Sequence, residues 1–391
     1  MTEAVIVAAT RTPIGRANKG LLVDVDAFEL AEMAVGAAVD RSGVPAADID
    51  DIVLAESLQG GGVIARNVAV RLGLSGVPGL ADNRHCAAGL SAIQIAAGSI
   101  RAGMDRVVVG GGTESLSSMP QTLKSVPVSA NQFSPWMSPS HPSTPEAPAF
   151  DMSVTFGENT SRIAGISRSD ADEWAYHSHM RAAAARDEGR FADEIVAVTI
   201  PEWDGATREV VVDEQPRPDT SIERLASLPV LHPELPGATV TAGNAGGLND
   251  ASAAVVITAD DYAHTNGLDV LARIVGWASV GIEPERTGLA PTLAIPKSLG
   301  RAGLTLGDVD LFEINEALCS MAVASSRVLG LDHDMVNVNG SGCGLGHPIA
   351  ATGARMVVTM LYELRRRGGT IGCVAMCAGG GMGSALVLEL L

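Results

Sequence analysis

The strongest constraint on the fold is an internal repeat. Residues 43–56 read GVPAADIDDIVLAE, and residues 303–316 read GLTLGDVDLFEINE. Gly43 aligns with Gly303, Asp48 with Asp308, Asp50 with Asp310 and Glu56 with Glu316, at one constant offset. Each copy reads as a loop, an acidic turn and an apolar strand. A second correspondence follows. Cys86 opens an Ala-rich amphipathic stretch to about Arg101, then comes Gly103 and the buried-strand pattern RVVVGGGTES. His347 precedes AATGARMVVTMLYELRRR, then Gly368-Gly369 and TIGCVAMCAGGGMG. Both read as helix, glycine stop, buried strand and glycine run. Chance likeness between α/β units is the alternative, and the constant offset argues against it. Two copies of one α/β unit predict a pseudo-symmetric pair.

The repeat sets the domain organisation. An N-terminal half spans 1–259 and a C-terminal half 260–391. The first half carries an insertion over about 120–242, and SAAVVITA closes it. Within the insertion, SVPVSANQFSPWMSPSHPSTPEAPAF is rich in Pro and Ser and is expected to be irregular. Two helical patterns and strand-like runs follow to about Pro236. A long insertion of this kind suits a lid or a contact surface.

At 391 residues with 46 % hydrophobic content, the chain has material for more than one core. Aromatics are only 3 %. That favours small side chains packing helices closely on a buried sheet. No run approaches the ~20 apolar residues of a membrane span. The start, MTEAVIVAATRTP, reads as a first strand rather than a secretory signal. A cytoplasmic location is expected. The net charge of −18 argues against nucleic-acid binding through the bulk field. An anionic substrate would need a local Arg or Lys patch. Five cysteines without metal-ligand spacing read as free thiols. No GxxxxGK[ST] occurs, nor GxGxxG after the first strand.

Four segments carry chemistry. Cys86, in DNRHCAAGLSAI, stands at a helix start, where the dipole and free N–H groups favour a thiolate; a buried structural cysteine is the alternative. Cys377 ends the last buried strand before Gly379-Gly380-Gly381, whose N–H groups can hold an oxyanion or simply form a turn. His347 follows a glycine-rich loop and precedes a proline at a helix start. Asn315 and Glu316 end a strand, where α/β folds bind ligands; a helix cap is the alternative for Asn315. A nucleophilic thiol, a base, a second thiol and amide donors together suit carbon–carbon acyl transfer.

These segments resemble the thiolase family, the acetyl-CoA acetyltransferases and 3-ketoacyl-CoA thiolases. The likeness covers nearly the whole chain: VAATRTPIGR, NRHCAAGLSAI, GGTESLSSMP, VTAGNAGGLNDASAAV, EINEAL, NVNGSGCGLGHPIAATGAR and CAGGGMGSAL. It implies an α/β fold of duplicated βαβαβαββ halves in a five-layered α-β-α-β-α core. It also implies roles. Cys86 takes the acyl group, His347 activates it, and Cys377 is the acid/base cysteine. Asn315 orients a water that forms one oxyanion hole with His347; the N–H groups of Cys86 and Gly379 form the other. Coenzyme A is implied as a co-substrate, with no permanently bound cofactor. Its contacts are implied at Arg217, Leu228, Ala245, Gly246 and Leu318, with Arg224 and Lys124 as further phosphate candidates. Acyl-CoA substrates and a homodimer or homotetramer are expected, with neither nucleic acid nor membrane as partner.

The chain departs from the family pattern at several points. Met152 stands where a pocket histidine is usual, Gly246 replaces a serine, NEAF has become NEAL with Leu318, and Cys343 follows GSG. The NRHC segment is nearer the degradative form, which favours thiolysis of a 3-ketoacyl-CoA. Biosynthetic condensation to acetoacetyl-CoA and a non-catalytic lipid carrier are the alternatives. A carrier would be expected to lack the nucleophile or the histidine. A redox sensor pairing Cys86 with Cys377 is a further alternative. A ketoacyl synthase would want a histidine at Asn315.

Overall fold

The computed structural model describes residues 2–59, 61–127 and 131–391. The main sheet holds β1 (Ala4–Arg11), β2 (Asp51–Ala55), β3 (Leu80–Asp82), β4 (Val107–Ser115), β5 (Asn249–Ala259), β6 (Ala272–Gly281), β7 (Leu311–Ile314), β8 (Ile371–Ala378) and β9 (Met382–Leu390). Their order is β7-β8-β9-β6-β1-β5-β4-β2-β3. Counted outward from the centre, β1-β5-β4-β2 matches β6-β9-β8-β7, so the sheet order repeats as the sequence does. The two half-sheets expected from the sequence form one continuous path. Among the described residues they are joined where Val5 and Ile6 pair with Arg273 and Ala272.

The repeated residues do the same work in each half. Helix α1 (Ala27–Ser42) starts at a capping box of Asp26 and Glu29 and stops at Gly43, which is left-handed at φ 68°. Its counterpart, α4 (Pro291–Ala302, numbered with the helices below), stops at Gly303 with φ 73°. Asp50 accepts the N–H groups of Arg106 and Val107 where β4 begins. Asp310 accepts those of Thr370 and Ile371 where β8 begins.

The remaining helices set the layers: α2 (Ala88–Arg101), α3 (Arg168–Asp187), α5 (Cys319–Leu329) and α6 (Ile349–Arg367). Helix α1 packs on the outer face of the first half-sheet and α4 on that of the second, while α2 and α6 pack against each other between them. This is the α-β-α-β-α arrangement expected. The middle layer is tight because it contains glycine. A Cβ on Gly89 would lie 2.6 Å from the Ala350 carbonyl oxygen, and one on Gly353 would lie 2.4 Å from the Leu90 nitrogen.

The segment between β4 and β5 is more ordered than its composition suggests. Leu123–Ser125, at the start of the Pro- and Ser-rich run, pairs with Phe133–Pro135 inside it. Residues 128–130 of that expected lid lie outside the described residues. Helix α3, the hairpin of Val198–Pro201 with Thr207–Val210 and the short helix Ile222–Ala226 follow. Arg11 on β1 anchors the segment: it is fully buried, 2.6 Å from Glu194 and 2.7 Å from Asp213. Among the described residues, no helix is long and apolar enough to cross a membrane.

Candidate active site

Cys86 lies in the turn between β3 and α2. The turn is tight: Ala87 and Ala88 donate to the carbonyls of Arg84 and His85 at 3.1 and 3.0 Å. His85 is held at φ 48°, a left-handed conformation a non-glycine residue rarely adopts. The Cys86 sulfur accepts from its own amide and from the N–H of Gly379. Gly379 begins the glycine run after β8, against the His85 ring and Ser140, where a Cβ would lie 3.3 Å from each. Gly380 and Gly381 take φ of 83° and 78°, so this loop requires glycine there.

Burial pushes the Cys86 thiol up to about 12, and the buried Glu114 adds to the rise. The thiolate expected from the helix start is therefore outweighed, and the resting group is a protonated thiol. Cys377 ends β8, fully buried. Its thiol is pushed up by burial and by Cys86. Two neighbouring thiols thus both need a base.

His347 is the candidate base. Its backbone N–H donates to Asn249 Oδ1 at 2.9 Å. Its Nδ1 lies 2.7 Å from Thr352 Oγ1, which in turn donates to the Pro348 carbonyl at 3.0 Å. A proton on Nδ1 satisfies both contacts and leaves Nε2 as an acceptor. Nε2 is buried and has no partner among the described residues. Burial, then the charge of Arg355, lowers the imidazole to about 4, so it is neutral and basic at working pH.

Asn315 follows β7. Its Nδ2 lies 3.5 Å from His347 Nδ1, and its buried Oδ1 has no partner. It does not cap α5, whose cap position is Leu318. Glu316 fixes this corner by accepting from Trp174 Nε1 (2.8 Å), Ser178 Oγ (2.6 Å) and the Cys343 N–H (3.1 Å). The Cys86 and His347 helices meet at their first turns through Gly89 and Ala350. Glu114 reaches across both halves, accepting from Leu58 and Ala350 N–H at 3.0 and 3.1 Å.

Beside this polar group lies an apolar wall. Cys377 packs with Phe156, Val240, Leu318 and Met321, edged by Met152 and Ala245. The departures at Met152 and Leu318 thus both border the second thiol. Ala245 bridges to Leu318. A Cβ on Gly246 would lie 3.3 Å from His347 Cβ and 3.1 Å from the Glu316 oxygen. Leu228 packs on Gly243. So Ala245, Gly246 and Leu318 adjoin one another beside His347. Arg217 is exposed, Arg224 pairs with Asp219, and Lys124 lies over the Trp136 ring at 5.5 Å.

The N-terminal thiolase domain model matches residues 4–261, and the C-terminal thiolase domain model matches residues 268–390. The chain belongs to the thiolase family. Over 395 residues this thiolase is 40 % identical to a probable acetyl-CoA acetyltransferase of Escherichia coli K12, covering 100 % of this chain and 99 % of that protein. It superposes on the crystal structure of the Bacillus anthracis acetyl-CoA acetyltransferase with a TM-score of 0.90 at 38 % identity, covering 100 % and 99 % of the two chains. With human mitochondrial 3-ketoacyl-CoA thiolase, solved in complex with CoA, the TM-score is 0.90 at 34 % identity, covering 100 % and 98 %. Membership agrees with the family read from the sequence motifs.

Three groups of this thiolase were not singled out by sequence reasoning: Thr352, Arg355 and Glu114. Thr352 and Arg355 lie within the recognised GHPIAATGAR run, on the helix that begins two residues after His347. Their spacing along α6 was a readable signal. Glu114 sits in GGTES, whose final strand residues read only as buried β.

Proposed function

We propose that this thiolase cleaves a 3-ketoacyl-CoA with CoA, giving acetyl-CoA and a shortened acyl-CoA through a thioester on Cys86. The observation that carries the reading is the His347 side chain: Nδ1 is held by Thr352, while the buried, neutral Nε2 has no partner among the described residues.

In this reading Nε2 takes the Cys86 proton, and the thiolate attacks the 3-keto carbon. The developing oxyanion is held by the N–H groups of Cys86 and Gly379. The Cα–Cβ bond breaks, and Cys377 gives its proton to the α-carbon of the leaving enolate. Asn315 and His347 face the thioester oxygen at that stage. Incoming CoA loses its thiol proton to Cys377 and removes the acyl group from Cys86. Burial suits Cys377 to this exchange, since a thiol held above its ordinary range donates only when a strong base forms beside it.

CoA fits against Leu228, Ala245, Gly246 and Leu318, with Arg217 as the contact nearer the adenine end. The human neighbour solved with CoA supports the co-substrate. The same groups run in reverse would perform condensation. The NRHC segment and the apolar surroundings of Cys377 favour cleavage, as in fatty-acid β-oxidation. We further propose the 1–259 and 260–391 halves, with the insertion over about 120–242, a homodimer or homotetramer, and a cytoplasmic location.

The test is thiolysis of a panel of 3-ketoacyl-CoAs, from acetoacetyl to long-chain and ring-bearing, with Cys86→Ala as control. Turnover of one class that the substitution abolishes supports the reading. No turnover of any member by a protein that still binds CoA overturns it.

A further inference from the structure

A second thiol pair lies outside the reaction just described. Cys319 opens α5, four residues after Asn315, and Cys343 lies four residues before His347. Both are fully buried. Both belong to the same buried cluster. Cys343 Sγ lies 3.9 Å from His179 Nε2 and 3.7 Å from the Gly243 carbonyl oxygen. The Cys319 N–H donates to the adjacent Asn244 carbonyl at 2.9 Å. His179 is 4 % exposed, and its Nδ1 has no partner. Cys343 is held below the ordinary thiol range by Cys319 and then His179, whereas burial pushes Cys319 up. The pair therefore combines an attacking thiolate, a resolving thiol and an adjacent proton acceptor.

We propose that Cys319 and Cys343 form an oxidation site that closes to a disulfide on reaction with a hydroperoxide. The Cys343 thiolate, its proton resting on His179, attacks the peroxide. An S–O bond forms, the O–O bond breaks, and hydroxide leaves. That hydroxide takes the Cys319 proton and becomes water. The Cys319 thiolate then attacks the Cys343 sulfenic sulfur, forming S–S and breaking S–O. The second hydroxide is protonated by His179. Two thiols are oxidised, one peroxide is reduced, and two waters form when hydrogen peroxide is the oxidant.

Closure links the two segments that present Asn315 and His347. A disulfide is about 2 Å long, so its formation fixes the two segments to each other at that distance. On the function proposed above, a shift of about 1 Å at these groups costs up to about a hundredfold in rate. Oxidation of this pair would then silence the enzyme without touching Cys86.

The first experiment needs no turnover. Full-length protein carrying Cys86→Ala and Cys377→Ala is treated with hydrogen peroxide, digested without reduction and mapped by mass spectrometry. The expected product is a Cys319–Cys343 peptide pair lighter by two hydrogens and released by dithiothreitol. Thiols that remain alkylatable, or a sulfonic acid on Cys343 with Cys319 unlinked, would overturn the site. The second experiment compares peroxide inactivation of the wild type with that of Cys319→Ala and Cys319→Ser. The dithiothreitol-reversible loss is expected to shrink about tenfold or more in both variants. Equal reversible loss in all three proteins would overturn the consequence for activity.

Discussion

His347 Nδ1 lies 2.7 Å from Thr352 Oγ1, five residues along the same helix start. That contact decides which nitrogen carries the proton. With Thr352 accepting from Nδ1 and donating to Pro348, Nε2 keeps its lone pair, which the mechanism proposed above directs at the Cys86 thiol. Thr352→Val keeps the shape and removes the acceptor. A lost hydrogen bond to a buried group costs about 1–3 kcal/mol, which corresponds to about a ten- to hundredfold loss of kcat/KM. KM for the acyl-CoA should change little, and Thr352→Ser should recover most of the rate. Steady-state kinetics on the three proteins checks this. A valine variant within about threefold of wild type would remove Thr352 from the positioning of His347.

The lowered His347 value has a sign that can be followed in two ways. As a base titrating near 4, it keeps kcat/KM from falling on its account until well below pH 6. For stability, the unfolded histidine binds a proton near its ordinary 6.5 and the folded one does not until about 4. Between those values the unfolded state holds more protons, so stability falls as pH falls. The slope from this group is at most about 1.4 kcal/mol per pH unit. Urea denaturation at pH 7 and pH 5 should show this loss in wild type and less of it in His347→Gln. Equal losses in the two proteins would mean that the imidazole is not held neutral.

Asp50 and Asp310 make the duplication testable. Each accepts two backbone N–H groups at the start of a buried strand, β4 or β8. Both sites are exposed, so replacing either by alanine should cost only about 1–2 kcal/mol. The two costs should be similar, and the double variant should be close to their sum. Chemical denaturation measures all three. A large cost at one site and none at the other would show that the repeat no longer carries equal structural weight.

That pair also shows what could be read from the sequence and what could not. Asp50, Asp310, Gly43 and Gly303 are local devices, a strand-start acceptor and a helix stop, so spacing and residue type expose them. Cys86, His347, Cys377 and Gly379 were readable because each sits at an element end beside glycine. The joining of the half-sheets through Val5 and Ile6 was not, since nothing in those residues distinguishes an inner partner from an edge. The rise of the Cys86 thiol was not readable for a similar reason. A helix start is visible in sequence, but burial and Glu114, distant in the chain, outweigh it. The Leu123–Ser125 hairpin formed despite a composition that argues for irregular structure, because two short pairing segments suffice.

The crossing of α2 and α6 gives the sharpest structural test. In most helix interiors, glycine to alanine stabilises by up to about 1 kcal/mol. Gly300 in α4 meets this condition, since a Cβ there has nothing within 4 Å. Gly300→Ala should therefore be neutral or stabilising. Gly89 is the opposite case. Its Cβ would stand 2.6 Å from the Ala350 oxygen and 2.8 Å from the Ala354 nitrogen, backbone atoms that cannot rotate away. Gly89→Ala must push the Cys86 helix from the His347 helix. Overpacking of this kind costs about 1–3 kcal/mol. Its larger effect should be on rate, because the displaced elements carry Cys86 and His347, the nucleophile and base proposed above; a tenfold or greater fall in kcat/KM is expected, on the order of what a 1 Å misplacement produces. Thermal unfolding and kinetics of both variants decide the matter. If Gly89→Ala behaves like Gly300→Ala in both measurements, the close crossing does not hold the two catalytic helices in register.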